Sequence, residues 1–218
     1  MPLSRVSNAL TVASFREIDR PGVTDVKLSQ DNLSLQSEIA RLRARVLELE
    51  RAADTDPLVP VFNRRAFMRE VARAQTVSER YDMVSSLIFF DLNGFKAIND
   101  AHGHTVGDNL LKAVGDVLIS GVRQCDMVAR LGGDEFGVLL FKSSPDIARA
   151  KAAALSCRMR EKRISAGSGY VSTSASWGVA PCKPGCEAEE ILHQADQAMY
   201  QAKRGVSDQL GSDQLKVV

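Results

Sequence analysis

The sequence predicts an α/β (α+β) domain preceded by a coiled-coil helix, and three stretches predict it. Residues 28–53 carry apolar side chains at alternating spacings of four and three, and Leu87-Ile88-Phe89-Phe90 is an unbroken apolar run. Met127-Val128-Ala129 and Val138-Leu139-Leu140-Phe141 flank the pair Gly132-Gly133. The first pattern is a heptad stripe and the second is that of a strand buried on both faces. The third is that of two short strands joined by a tight hairpin, because paired glycines permit the positive φ such turns demand.

Residues 1–26 lack periodicity and Pro21-Gly22 breaks any helix begun near Phe15, so this segment is expected to be flexible. In the stripe Leu28, Asn32, Leu35, Ile39, Leu42, Val46, Leu49 and Ala53, the a positions include Ile39 and Val46, and Leu35, Leu42 and Leu49 take d. β-branched residues at a with Leu at d favour a parallel two-stranded coiled coil, and the lone Asn32 at a fixes register and dimer. Glu38 at g faces Arg43 at e of a second chain, and Arg45 faces Glu50, so both pairs attract. Residues 27–55 are therefore expected to form a dimerising stalk; the alternative is a single amphipathic helix lying on its own domain.

Beyond the stalk, 56–218 is expected to be one catalytic domain with an irregular tail. After Asp54-Thr55-Asp56-Pro57, Asn63-Arg64-Arg65 opens a helix reaching about Val77, with Phe67 and Val71 on one face. The strand 87–90 ends at Asp91, a favoured ligand position. Gly103 to Gly107 reads as a loop, and Leu110, Val114 and Val117 mark a helix over Asp108 to Ser120. Asp134 and Glu135 start the second hairpin strand and point to opposite faces. Ser144-Pro145-Asp146 offers a capping hydroxyl, a proline at the first helical position and an acid in the first turn, so a helix should run to about Lys162. Val171 to Ala180 reads as a strand, and Ile191, Ala195, Ala198 and Ala202 mark a helix from about Glu187 to Lys203. The tail repeats Ser-Asp-Gln-Leu at 207–210 and 212–215.

Composition narrows the function classes. With 218 residues, 44% of them hydrophobic, the chain can bury one good-sized core and carry an appendage. Lys and Arg number 28 against 27 Asp and Glu, and a net charge of +1 argues against general binding to nucleic acid or a membrane surface. No apolar run reaches membrane-span length and Met1 to Ala13 lacks a signal-peptide core, so the expected location is cytoplasmic. Cys125, Cys157, Cys182 and Cys186 are scattered as reduced thiols would be, and no His or further Cys pair turns the last two into a zinc site.

The chemistry gathers at strand ends. Asp91, Asp134 and Glu135 stand at the ends of two predicted core strands, where charge is costly unless paired or bound to a cation. Oxygen-only donors select a hard ion. Mg²⁺ suits them, with Mn²⁺ as the alternative, because it accepts one or two carboxylates and completes its octahedron with water and substrate phosphates. Lys96 and Lys203 supply counter-charge for phosphates. Asn99 and Asp108 suit the edge of a guanine, whose N1–H and 2-amino group donate.

Four motifs in order carry a family resemblance: Phe90-Asp91-Leu92-Asn93-Gly94-Phe95-Lys96-Ala97-Ile98-Asn99-Asp100, Gly103-His104-Thr105-Val106-Gly107-Asp108, Gly132-Gly133-Asp134-Glu135-Phe136, and Ala195-Asp196-Gln197-Ala198-Met199-Tyr200-Gln201-Ala202-Lys203. From about Asp56 to Lys203 the chain resembles the GGDEF-domain diguanylate cyclases of bacterial signalling. The resemblance implies a central, mostly antiparallel sheet flanked by helices, related to the palm of nucleotide cyclases and polymerases. It implies that Asp91, Asp134 and the main-chain carbonyl of Leu92 hold Mg²⁺, that Glu135 assists at the metals or the phosphate, and that Asp134 accepts a proton. It places Asn99 and Asp108 at guanine, His104, Phe95, Gly132 and Gly133 beside the substrate, and Lys96 and Lys203 at the phosphates.

The reaction it implies is condensation of two GTP into cyclic di-GMP and two pyrophosphates across a homodimer, each domain holding one nucleotide. Arg123-Gln124-Cys125-Asp126 stands five residues before Gly132, where the family carries an RxxD inhibitory site for the product, with a further Arg from a helix, Arg158 or Arg160. The chain departs from the family in three places. It reads Leu58-Val59-Pro60-Val61-Phe62 where Leu-Thr-Gly-Leu is usual, Asn93 replaces a common Asp, and Ser207 stands where a phosphate-binding Arg is expected, with Arg204 nearby. Two other functions compete: a non-catalytic receptor for cyclic di-GMP acting through Arg123 and Asp126, and a dimer module that only binds GTP.

Overall fold

A computed structural model describes residues 23–81, 83–167 and 169–213, with side chains described for 28, 30–46, 53–81, 83–167 and 169–204. The chain divides into two compact units at Glu50/Arg51. In the first, helix α1 (Val23–Asp54) begins four residues before the predicted stalk, inside the segment expected to be flexible. Residues 1–22 lie outside the described ones. The stripe residues Leu28, Leu35, Ile39, Leu42 and Val46 are all exposed on the single chain. Glu38 closes a two-pronged ion pair with Arg41 of the same helix, one turn on. Among the described residues no helix is long and apolar enough to cross a membrane.

The second unit is built on a five-stranded sheet ordered β1 (Phe62–Asn63), β3 (Met127–Gly132), β4 (Glu135–Leu140), β2 (Ser86–Leu92) and β7 (Ala175–Pro181). Only β1 and β3 run parallel; the other pairings are antiparallel, as the resemblance implied. A separate hairpin pairs β5 (Ile164–Ala166) with β6 (Gly169–Val171). β2 lies inside the sheet between β4 and β7 and is apolar on both faces, which explains its unbroken run. On one face Ile88, Phe90, Leu92, Phe136 and Val138 meet buried residues of α4 (His104–Gly121) and α5 (Pro145–Glu161). On the other, Leu87, Phe89, Ala129 and Leu139 meet α2 (Arg64–Tyr81) and α6 (Ala188–Asp213).

Several predicted boundaries shift for identifiable reasons. The loop over Gly103–Gly107 is instead the first turn of α4: Gly103 alone turns the corner, at φ 82° and ψ 162°. A short helix precedes it, α3 (Phe95–His102), entered through Gly94 at φ 71°. It has no capping side chain and buries no residue, so neither signal that betrays a helix is present. The strand expected over 171–180 breaks after Val171 and resumes at Ala175, where Thr173 and Ser174 turn to hydrogen-bond Asn93. The irregular tail is helical to Asp213, because glycines at 205 and 211 weaken a helix without stopping it as a proline would. Helix α5 starts as predicted, with the Ser144 hydroxyl accepting from Ile147 N at 3.4 Å.

The entry to the domain is held by side chains of Asn63 and of α2. Asn63 Nδ2 donates to the carbonyls of Ala53 and Thr55, Arg65 donates to Ala53 O, and Arg69 pairs with Asp54 at 2.7 Å. Asn63 and Arg65 thereby satisfy carbonyls that a helix end leaves unpaired. Asp56 then accepts from Leu58 N and Val59 N, folding the Val59-Pro60-Val61 segment so that both valines are buried.

Candidate active site

Asp91 and Glu135 are direct cross-strand partners on β2 and β4. Directly opposed residues project on the same face of a sheet, here the face covered by α2 and α6. The hairpin between β3 and β4 is shifted one residue along from the glycine pair: Gly132 pairs with Glu135, so the loop is Gly133-Asp134, with Gly133 at φ 47°. Asp134 is therefore in the turn, with Glu135 alone opening the strand. The Asp134 carbonyl accepts from Leu92 N at 3.3 Å, tying the turn to the end of β2. All four residues proposed from sequence as metal ligands thus converge at one sheet end.

Charge at this end is unevenly compensated. Lys203 of α6 reaches across to Asp91, Nζ to Oδ1 2.9 Å. Burial, and then the negative charges of Asp91, Asp134 and Asp196, hold the Glu135 carboxyl above the usual carboxylate range, while Arg64 opposes the shift. Arg64 is itself paired with Glu189 at 2.8 Å, and these groups line a cavity of about 240 Å³ with His193 and Phe89. Lys203 also lines a cavity of about 450 Å³ together with Asn93, Ser176, Trp177 and Met199. Among the described residues no three His, Cys, Asp or Glu side chains form a ready metal cage.

Arg130 organises the hairpin. Its Nε and Nη2 donate to the Gly133 carbonyl at 2.9 and 2.7 Å, and Nη1 pairs with Asp56 at 3.3 Å. Both side chains are about 15% exposed, so one guanidinium fixes the turn that carries Asp134 and anchors it to the segment entering the domain.

The second cluster lies where α3 meets α4. The two helices pack against each other, and Gly107 of α4, the residue before Asp108, lies directly against the Asn99 side chain. Asn99 Oδ1 is the single buried side-chain polar atom without a hydrogen-bond partner among the described residues. Buried acceptors are almost always paired in folded proteins, so an orphan marks a group that waits for a ligand or a water.

A sequence profile described as the diguanylate cyclase GGDEF domain matches residues 53–209, with both clusters inside it. The chain belongs to the GGDEF family. It is 35% identical over 161 residues to diguanylate cyclase DgcS of Shewanella oneidensis, covering 72% of this chain and 51% of DgcS. To diguanylate cyclase TpbB of Pseudomonas aeruginosa it is 34% identical over 216 residues, covering 93% of this chain and 49% of TpbB. The chain thus spans about half the length of these curated relatives. The fold is similar to the coiled coil and GGDEF domain of DgcB from Caulobacter crescentus, solved in complex with c-di-GMP. That match has a TM-score of 0.73 at 27% identity and covers 82% of this chain and 95% of that one.

The remaining GGDEF motif residues take mixed positions. Lys96 and His104 are exposed at the starts of α3 and α4, and Phe95 is half-buried against the main core. Gly132 and Gly133 are exposed at the hairpin tip. Arg123 and Asp126 border an apolar cavity of about 340 Å³ with Pro60, Phe62 and Ile119. Here Asp126 is already engaged: its carboxylate accepts from Arg123 N at 3.0 Å and from Phe141 N at 3.1 Å, so it locks its own turn to the end of β4. Arg158 donates to Ser120 Oγ at 2.9 Å on the α4–α5 side. The side chain of Ser207 lies outside the described ones, and Arg204 stacks on Tyr200 with Cζ 5.8 Å from the ring centroid.

Sequence reasoning missed Arg64, Arg130, Glu189 and Asp196 as parts of the site. Arg130 had a readable signal, a charged residue inside an apolar strand two positions before the glycines. The others are brought to Glu135 only by the packing of α2 and α6. Asn93, which replaces the family's common Asp, uses both ends of its amide, Nδ2 donating to Ser174 Oγ and Oδ1 accepting from Ser176 Oγ.

Proposed function

We propose that the chain is a diguanylate cyclase that condenses two GTP into cyclic di-GMP, and that two chains face each other to do so. The observation that carries this reading is the register of Asp91 opposite Glu135, with Asp134 in the adjoining turn and Lys203 at hand. A receptor that only bound the product would have no use for three carboxylates gathered at one sheet end beside a lysine. The unpaired Asn99 Oδ1, beside the turn of α4 that carries Asp108, supports guanine as the base, because a guanine edge supplies donors.

The donor set fits Mg²⁺ or Mn²⁺: Asp91, Glu135, Asp134 and the Leu92 carbonyl are hard oxygen ligands, and the like charges around Glu135 call for a cation. When bound, such an ion supplies charge neutralisation at the phosphates and acidifies the attacking hydroxyl. The chain's own groups do the rest. Asn99 and Asp108 orient the base, Lys203 and Lys96 hold the triphosphate, and Asp134 accepts the proton of the 3′-hydroxyl. That oxygen attacks the α-phosphorus of the nucleotide on the facing domain. Each attack forms one phosphodiester bond and expels one pyrophosphate; two attacks close the ring.

The stalk supplies the second domain. Leu35, Ile39, Leu42 and Val46 are half or more exposed on a single chain, apart from Ile39 at 47%, and a parallel partner would bury the stripe. Tethering raises the effective concentration of one domain beside the other. For regulation, Arg123 is exposed at the rim of the 340 Å³ cavity and suits a phosphate of the product, while Asp126 holds the turn that presents it. The test is incubation of the purified chain with GTP and Mg²⁺, with nucleotide and pyrophosphate analysis. Cyclic di-GMP with two pyrophosphates per ring is expected, and none from Asp134→Ala. A dimeric parent that yields no product refutes the reading.

A further inference from the structure

Gly107 sits one turn into α4, buried, and directly over the side chain of Asn99. A Cβ built on it falls far inside contact with Asn99 Oδ1, 2.9 Å from Asn99 Cγ and 3.3 Å from Phe95 Cζ. The corner between the helices leaves little slack, because Gly103 N donates to Asn99 O at 2.8 Å and Gly107 N donates to Gly103 O at 3.4 Å. The atom that Gly107 covers is the same acceptor that lacks a partner. Helix propensity alone would favour alanine at this position, so the glycine works against its helix and for the placement of the amide.

We infer that Gly107 is a positioning residue that sets guanine specificity: the lack of a side chain there allows the Asn99 amide to lie in the α3–α4 crevice facing the base. This rests on the guanine reading above. A side chain at 107 can be relieved in two ways. The Asn99 amide swings out of the crevice, with the Phe95 ring blocking one direction, or α4 retreats and takes Asp108, the next residue, with it. Either route changes the span between the two groups that grip the base edge. Neither moves Asp91, Asp134 or Glu135, which stand on other elements.

The test compares GTP, inosine triphosphate and ATP on the full chain carrying Gly107→Ala. The KM for GTP should rise roughly ten- to a hundredfold, the range that one or two lost hydrogen bonds span. The kcat at saturation should stay within a fewfold and ATP binding should not change, so the preference for GTP over ATP collapses. The preference for GTP over inosine triphosphate, which differs only in the 2-amino group, should shrink with it. Asn99→Ala removes the group that the new methyl strikes, so adding Gly107→Ala to Asn99→Ala should cost nothing further. If Gly107→Ala fails to fold, the double variant should fold with the thermal midpoint of Asn99→Ala; a collapse of both overturns the inference. So does a selective parent whose Gly107→Ala form stays selective, or an additive double variant. A parent that binds ATP as well as GTP instead overturns the guanine reading, and this inference with it.

Discussion

Gly178→Ala should be among the most damaging single-methyl additions to the domain. Gly178 lies on β7 beneath α6, and a Cβ there falls far inside contact with Ala195 O and Met199 N and 3.0 Å from Ala198 C. Ala195 O and Met199 N are four residues apart, one rung of the α6 hydrogen-bond ladder. The obstacle is thus backbone, with no side chain to rotate away, and a normal separation near 3.5 Å needs α6 to retreat by at least about 1 Å. A gap of that size forfeits a quarter to a half of each dispersion contact it opens, along a helix whose Ile191, Leu192, Ala195 and Met199 are all buried. Overpacking that side chains can absorb costs about 1–3 kcal/mol, so about 3 kcal/mol or more is expected here. At this size that lowers the thermal midpoint by about 6–12 °C. The same retreat draws Lys203 away from Asp91, so stability and GTP turnover should fall together. Gly169→Ala, where a Cβ meets nothing within 4 Å, is the control and should shift the midpoint by less than about 2 °C. A Gly178→Ala midpoint within about 3 °C of the parent would show that α6 does not press on β7 as described.

Three further outcomes follow from the site. Arg130→Ala leaves the Gly133 carbonyl and the Asp56 carboxylate without their partner, and should cost about 2–3 kcal/mol in urea denaturation. A double-mutant cycle with Asp56→Ala should show coupling of about 1 kcal/mol or more; strict additivity would deny the link. For Glu135, whose folded carboxyl holds its proton more tightly than the unfolded value of 4.5, stability is favoured below that value and lost as pH rises through the folded one. Without divalent ion, Glu135→Gln should therefore melt higher than the parent at pH 7–8, with the difference vanishing towards pH 4; a parent that melts higher at neutral pH contradicts this. Burial pushes the Cys182 thiol up to about 12, whereas Cys125 and Cys157 are exposed. At pH 8 a thiol reagent followed by mass spectrometry should label Cys125 and Cys157 at once and Cys182 only on unfolding, and rapid native labelling of Cys182 would refute its burial.

What could be read in the chain was whatever depends on a residue's own neighbours in sequence. β2 announced itself because both of its faces are apolar, and α5 because Ser144 and Pro145 cap it with local atoms. β1 escaped because two residues carry no period, and only its parallel pairing with β3 makes it a strand. α3 escaped because it buries nothing and is entered through a glycine. The site divides in the same way. Asp91, Asp134 and Glu135 were visible as charges at the ends of apolar runs, whereas Arg64 and Asp196 gain their meaning only when α2 and α6 close over the sheet.

Lys203 shows how the two kinds of information join. The proposed function makes it a counter-charge for phosphate, and its Nζ lies 2.9 Å from Asp91. Both statements describe one physical demand. A carboxylate at the end of a buried strand needs a cation; the Lys203 ammonium meets that need at Asp91, and a divalent ion held by Asp91 would compete with it and leave the lysine to pair with phosphate. On this account Lys203→Met should weaken GTP binding, while it tightens the response of the nucleotide-free protein to Mg²⁺, seen as a larger rise in thermal midpoint per millimolar ion. A Lys203→Met chain that loses its response to Mg²⁺ would mean that the lysine helps to build the cation site and does not compete with the ion for it.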